Sequence, residues 1–211
     1  MSSLTKDPSP DYSIYQTPNL SESGLNERFA GYERAIFAGG CFWCMEEVFQ
    51  RVAGVQAVYS GYVGGEEVHP SYREVASGST GHAEAVVVYY DKELVTYEQL
   101  LEFFYASHDP TQVNRQGPDV GRQYRSGVFY LNEAQREAAI KYQQQLNDSG
   151  HYNKPIATEI TAAGPFYVAE AYHQDYYPQH MDNPYIQRVS KPKVEKFTKA
   201  YRAYLKPAYQ E

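Results

Sequence analysis

Thiols are scarce in this sequence: Cys41 and Cys44 are the only cysteines in 211 residues. A disulfide framework of the kind that staples small secreted domains is therefore excluded, and any thiol chemistry is confined to one C-x-x-C. The single tryptophan, Trp43, falls inside that same stretch. No run of about 18 apolar residues occurs, which argues against a membrane-spanning helix and a membrane partner. A basic excess is missing too: the formal net charge is -7, the wrong sign for a general nucleic-acid surface. The first 16 residues have no apolar core segment and carry Asp7 and Asp11 among prolines and serines. They read as neither a secretory signal nor an Arg-rich transit peptide, so a reducing, cytoplasmic setting and a monomer are the default expectations.

Aromatic residues are abundant instead, with 22 tyrosines and 9 phenylalanines. The chain is long enough for one domain with a substantial core. Residues 1–30 are polar and Pro/Ser-rich and predict an extended arm, laid over the domain through Tyr12, Ile14 and Tyr15. Residues 31–189 predict an α+β domain, and residues 190–211 a C-terminal amphipathic helix and tail. The domain is organised around residues 35–49. A short apolar strand at 35–38 runs into Gly39-Gly40, and a helical pattern of Phe42, Met45, Phe49 and Val52 follows at once. Both thiols then fall in the first helical turn, where unpaired N–H groups and a partial positive charge favour thiolate. A lowered Cys41 pKa and a nucleophilic Cys41 are expected.

Further along, 55–62 and 83–90 read as strands, the second apolar on both faces as in a buried central strand. A helical turn is expected at 72–76, and Thr96 with Gln99 forms a capping box ahead of Leu100, Leu101 and Phe104. Residues 108–125 predict a long functional loop. Strands at 127–131 and 156–161, a helix after Asn132 and Gln135 ending near Gly150, and a short helix at 169–177 follow. Ser190 with Pro192 predicts the start of a last helix bearing Val194, Phe197, Tyr201 and Leu205. Strands and helices mixed in this way give an α+β or α/β domain.

Three readings of Cys41 and Cys44 stay open from spacing: half of a zinc site, for which no second C-x-x-C or close histidine pair exists; inert core cysteines; and a redox or nucleophilic pair. The Gly-Gly lead-in and the helix start favour the third. On that basis alone a general thiol-disulfide oxidoreductase is one function; a peptide-binding module using the aromatic residues is a different class. Glu84 lies in phase with Val86, Val88 and Tyr90. It is either a desolvated carboxyl with a raised pKa, able to donate a proton, or the solvated first residue of its strand. Tyr72 and Tyr124 sit among Arg and Glu neighbours, where packing and chemistry are both open. His82, His108 and Asp109 are open to a functional role, but satisfied loop residues are the expected assignment.

The residues also carry a resemblance. Gly40-Cys41-Phe42-Trp43 resembles the active-site motif of the peptide methionine sulfoxide reductases of the A type. The likeness continues through Gly61-Tyr62-x-Gly64-Gly65, Pro70-Ser-Tyr72-Arg-Glu-Val75, and Ser77-Gly78-x-Thr80-Gly81-His82-Ala83-Glu84. It extends to His108-Asp109-Pro110-Thr111, Asn114-Arg115-Gln116-Gly117-x-Asp119-x-Gly121-x-Gln123-Tyr124-Arg125-Ser126, Thr158-Glu159-Ile160, and Ala169-Glu170-x-Tyr172-His173-Gln174-x-Tyr176. The resemblance implies an α+β fold with a ferredoxin-like two-layer core, and no cofactor or metal. It implies Cys41 as the nucleophile on the sulfoxide sulfur and Glu84 as the proton donor to the sulfoxide oxygen. Tyr72 and Tyr124 would hydrogen-bond that oxygen, Phe42 and Trp43 would wall a pocket for the ε-methyl group, and Asp119 would hold the substrate backbone. The implied substrate is the S epimer, free or in proteins, and Cys41 is left as a sulfenic acid. This chain departs from the common motif by carrying Cys44 where a glycine is usual, Ala76 where some relatives have cysteine, and no cysteine after residue 190. Cys44 as the thiol that resolves the sulfenic acid is the resulting expectation, with a thioredoxin-type reductant as partner; the alternative is a Cys44 that only packs while an external thiol reduces Cys41.

Overall fold

A computed structural model describes residues 20–210. In chain order the elements are α1 (Glu22–Arg28), β1 (Glu33–Gly39), α2 (Phe42–Gln50), β2 (Val55–Val63), α3 (Tyr72–Ala76), β3 (Ala83–Tyr90) and α4 (Tyr97–Ser107). There follow β4 (Arg115–Gln116), β5 (Asp119–Val120), β6 (Ser126–Tyr130), α5 (Glu133–Asp148), β7 (Glu159–Ala162), β8 (Tyr167–Val168), α6 (Tyr176–Gln179) and α7 (Lys191–Tyr201). Six strands form one mixed sheet in the order β7-β6-β1-β3-β2-β8, antiparallel throughout except for the parallel pair β6 and β7. The four central strands and the helices α2 and α4 form two split β-α-β units, which puts both helices on one side of the sheet. This is the α+β class, a mixed sheet with flanking helices.

Alternation along the strands sorts side chains between two faces. Phe37, Val58, Tyr62, Val86, Val88 and Tyr90 face α2, α4 and α7, and pack on Phe42, Met45, Phe49, Leu101, Phe104 and Phe197. Every residue of β3 is buried, as its doubly apolar pattern predicts. The opposite face, with Ile36, Tyr59, Val87 and Tyr89, is covered by Leu25, Phe29 and Phe166.

That cover differs from the extended arm expected over residues 1–30. Residues 22–28 are helical, opened by Ser21, whose hydroxyl accepts from the Gly24 amide. Leu25 is the single buried residue of this helix, which leaves too little apolar periodicity for the sequence to signal it. Tyr12, Ile14 and Tyr15 lie outside the described residues.

The long loop at 108–125 contains the β4–β5 hairpin and a 3₁₀ turn at Arg122–Tyr124. Strands of two residues have no readable alternation, which is why the sequence shows only a loop. β7 begins three residues later than expected. The helix expected at 169–177 is broken into a 3₁₀ turn (Ala171–His173) and α6, with Asp175 between them at φ 52°. Gln174 causes the break: its amide accepts from Ser60 N at 2.9 Å and donates to Ser60 O at 3.0 Å, taking the place of a strand partner beside β2. Finally, Ser190 does not cap α7. A π turn (Ile186–Ser190) runs directly into the helix, and Ser190 is itself helical at φ -75°, ψ -50°.

Candidate active site

The turn from β1 into α2 sets the position of Cys41. Gly40 has φ +92°, and a Cβ there would stand 2.6 Å from the Gln116 side chain. A residue without a Cβ is required on both counts. Cys41 is the N-cap of α2 and Cys44 lies in its first turn, both buried and both free thiols. A cavity of about 270 Å³ opens above Cys41, lined by Phe42, Trp43, Tyr72, Glu84, Asp119, Tyr124, Asn183 and Tyr185. Every site residue read from the sequence except Cys44 therefore faces one cavity. Cys44 points the other way, toward the start of α7, where its Sγ lies 3.0 Å from the Ser190 hydroxyl.

Glu84 resolves in favour of the desolvated reading. It is 2% exposed, and its Oε2 accepts from the Phe42 amide at 3.2 Å, linking the carboxyl to the first turn of α2. Burial pushes its pKa up to about 8, with further upward pressure from Asp119 and Cys44 and a downward pull from the Phe42 amide. The carboxyl is therefore largely protonated at neutral pH. Burial also raises Tyr72, to about 12, and raises Tyr124 and Tyr185 further, so all three phenols stay O–H donors.

The expected lowering of the Cys41 pKa is reversed. Burial raises it well above the ordinary thiol value, and the hydrogen bond to Cys44, Cys44's charge and Glu84 act in the same direction. The helix N-terminus is a partial charge, and desolvation in an aromatic pocket exceeds it. It is Cys44 that is lowered, chiefly by the hydrogen bond donated from Cys41, with Lys193 and Ser190 assisting against burial and Asp119. The resting pair is thus a Cys41 thiol donating to a more acidic Cys44.

Aromatic packing fixes the cavity walls. The Trp43 indole N–H donates to His173 Nδ1 at 3.1 Å, and its ring stacks on Tyr176 with centroids 3.8 Å apart. Tyr185 stands edge-on to Trp43 and donates its hydroxyl to Asp119 Oδ2 at 2.5 Å. Glu170 accepts from the Tyr62 hydroxyl at 2.7 Å and the Tyr72 amide at 2.9 Å, which holds α3 against the pocket. Asn183 and Tyr185 were not legible as site residues. They belong to a stretch with no periodicity, and only its return over α2 brings them to Cys41.

The loop histidines lie elsewhere. His82 holds the 65–67 turn, accepting from Gly65 N at 3.2 Å with its other ring nitrogen 2.8 Å from Glu67 O. His108 bridges Phe104 O and the Ser126 hydroxyl, and burial lowers its pKa to about 4. Asp109 accepts from the amide and hydroxyl of Thr111. Among the described residues no three His, Cys, Asp or Glu side chains converge as metal ligands do, and no helix is long and apolar enough to cross a membrane.

An α+β domain that sets two thiols at a helix start, beside a protonated buried carboxyl and phenolic donors, defines a thiol-dependent oxidoreductase. Comparison with known proteins gives the family. The model of the peptide methionine sulfoxide reductase family matches residues 33–205. The peptide methionine sulfoxide reductase MsrA of Natronomonas pharaonis is 49% identical across 79% of this chain and 94% of its own length. That of Deinococcus radiodurans is 50% identical across 82% and 84%. Among solved structures, Mxr1 from Saccharomyces cerevisiae in its reduced form matches with a TM-score of 0.66 at 34% identity, covering 72% of this chain and 87% of that one. Methionine sulfoxide reductase A of Corynebacterium diphtheriae matches at 0.63 and 35%, covering 72% and 76%. This chain belongs to the peptide methionine sulfoxide reductases of the A type.

Proposed function

We propose that the protein reduces the S epimer of methionine sulfoxide, free or within proteins, with Cys41 as the thiol that takes the oxygen. The observation that carries this reading is the protonated, buried Glu84 facing Cys41 across an apolar cavity. A thiol-disulfide exchange site needs no such acid, whereas loss of oxygen from a sulfoxide requires a proton on that oxygen. Phe42 and Trp43 receive the ε-methyl group. Tyr72 and Tyr124 donate to the sulfoxide oxygen, and Asp119, held by Tyr185, takes the substrate backbone.

Cys41 Sγ attacks the sulfoxide sulfur as Glu84 protonates the oxygen. Attack forms an Sγ–S bond, and the protonated oxygen then passes from the methionine sulfur to Sγ, so that the substrate S–O bond and the Sγ–S bond break and an Sγ–O bond forms. The methionine sulfur gains two electrons, Cys41 loses two, and the Cys41 thiol proton returns to Glu84. Cys41 leaves as sulfenic acid. Cys44 then attacks its sulfur, closing the disulfide as hydroxide departs and takes the Glu84 proton to become water. A thioredoxin-type dithiol returns the pair to the reduced state.

Single-turnover reaction of prereduced protein with the separated R and S epimers tests the reading. Only the S epimer is expected to yield methionine, with loss of both free thiols. Equal reduction of R and S, or reduction of neither, overturns it.

A further inference from the structure

Cys44 is the feature that sets this chain's motif apart, and its surroundings come from a segment far away in sequence. We propose that Ser190, with Lys193 one turn further along α7, positions Cys44 and holds it ready to attack oxidised Cys41. The inference rests on the reading of Cys44 as the resolving thiol.

Ser190 is completely buried, and its Oγ lies 3.0 Å from Cys44 Sγ. A buried hydroxyl is a costly choice over alanine unless its hydrogen bond matters. Ser190 does not spend that bond on capping, since the chain enters α7 already helical. The π turn at Ile186–Ser190 sets the register that brings the hydroxyl inward, and single π turns of this kind concentrate at functional positions. Three residues on, Lys193 shares the face of α7 that carries Ser190. Its ammonium reaches toward the β4–β5 turn, 4.0 Å from where a Gly117 Cβ would stand. Among the described residues it forms no ion pair with a carboxylate, and its charge acts on Cys44 and on His108.

The hydroxyl serves both protonation states. It accepts from the Cys44 thiol, and after ionisation it rotates to donate to the thiolate. The titratable groups facing Cys44 are Cys41, Glu84, Asp119, Tyr177, Tyr185 and Lys193. Of these only Lys193 is a cation, and Ser190 and Cys41 are the hydrogen-bond partners. Once Cys41 is oxidised, Cys44 ionises against the Ser190 hydroxyl and its thiolate attacks the sulfenic sulfur. The Sγ–Sγ bond forms, the Cys41 Sγ–O bond breaks, and the departing hydroxide is protonated by Glu84.

Rapid-quench single turnover on the S epimer separates methionine formation from disulfide closure in the parent, Ser190→Ala, Lys193→Gln and Lys193→Arg proteins. Closure is expected to slow about tenfold relative to methionine formation in Ser190→Ala and Lys193→Gln, the effect of about one pKa unit on thiolate population. Sulfenic acid should accumulate, trapped by dimedone, and the pH midpoint of closure should move upward. Lys193→Arg should restore the parent ratio. Closure at the parental rate and midpoint in both variants overturns the inference, as does an equal slowing of both steps, which marks a merely structural role. A parent protein that makes methionine yet keeps Cys44 free overturns instead the resolving reading on which the inference stands.

Discussion

At the scale of single residues, the chemistry proposed above depends on where Glu84 holds its proton. Its place on the helix-facing side of β3 removes water from the carboxyl, and the Phe42 amide offsets only part of that penalty. Donation is available while the carboxyl is protonated. The rate of methionine formation in a single turnover should therefore hold through neutrality and fall as pH rises through about 8. Glu84→Gln keeps the shape of the side chain and its contact with the Phe42 amide while removing the acidic proton. Methionine formation should drop by about 10²–10⁴-fold, the ordinary contribution of a positioned acid, with both thiols still titratable in the folded protein. A variant that keeps parental turnover and the same pH profile assigns the proton to another group.

At the scale of elements, α2 is the part on which everything converges. Its N-terminus carries the thiols, Phe42 and Trp43, and its inner face packs on β2 and β3. It also buries a carboxyl with no role in the cavity. Glu46 is 1% exposed and accepts from the Asp175 amide at 3.0 Å, the contact that fixes the kink between the Ala171–His173 turn and α6. Burial and the nearby Asp175 raise the Glu46 pKa well above the carboxylate range. The folded state thus holds a proton that the unfolded chain has released. Stability linked to this group is full below the unfolded pKa, near 4.5, and declines as pH rises toward the folded value. Glu46→Gln mimics the protonated form, and its amide oxygen can accept from Asp175 as before. It should remove that decline and be more stable than the parent at pH 8, with a smaller gain at pH 5. Urea midpoints across pH measure this; parallel curves for the two proteins would sink the assignment.

At the scale of the whole molecule, the chain after residue 180 closes the back of the site. It supplies Asn183 and Tyr185 to the cavity, Ser190 to Cys44, and Val194 and Phe197 to the core. Its end is fastened to the turn after α2. Leu205 is 1% exposed and bridges Val52, and Lys206 N donates to Arg51 O at 2.8 Å. Leu205→Ala should cost about 2–5 kcal/mol, the range for truncating a fully buried leucine. A urea midpoint lowered with an unchanged slope is the expected result. A loss below about 0.5 kcal/mol, the level of an ordinary surface substitution, would mean that the tail is not fastened there in solution.

Local rules were enough for much of this. The doubly apolar run at 83–90 marked β3 as a central strand, the Thr96 and Gln99 box marked the start of α4, and the Gly-Gly-Cys stretch marked the strand-to-helix turn. The same period-2 alternation put Glu84 in phase with the core face but left it open whether it was desolvated, and short motifs in order named Cys41, Phe42, Trp43, Tyr72, Asp119 and Tyr124 before any contact was known. What stayed hidden depends on contacts distant along the chain. The helix at 22–28 exists because the open sheet face offers Leu25 and Phe29 a surface, and the β4–β5 hairpin is too short to alternate. Tyr185 and Ser190 carry no local signature, because their places beside the cavity and Cys44 arise only when the C-terminal segment folds back over α2. The ionisation of the two cysteines followed the same division. Sequence placed both thiols at a helix start, where a partial positive charge favours the thiolate. Tertiary structure buried Cys41 among aromatic rings and a carboxyl, while Cys44 received the hydrogen bonds and the lysine. Desolvation and neighbouring charge outweigh a partial helix charge, and both are set by the fold.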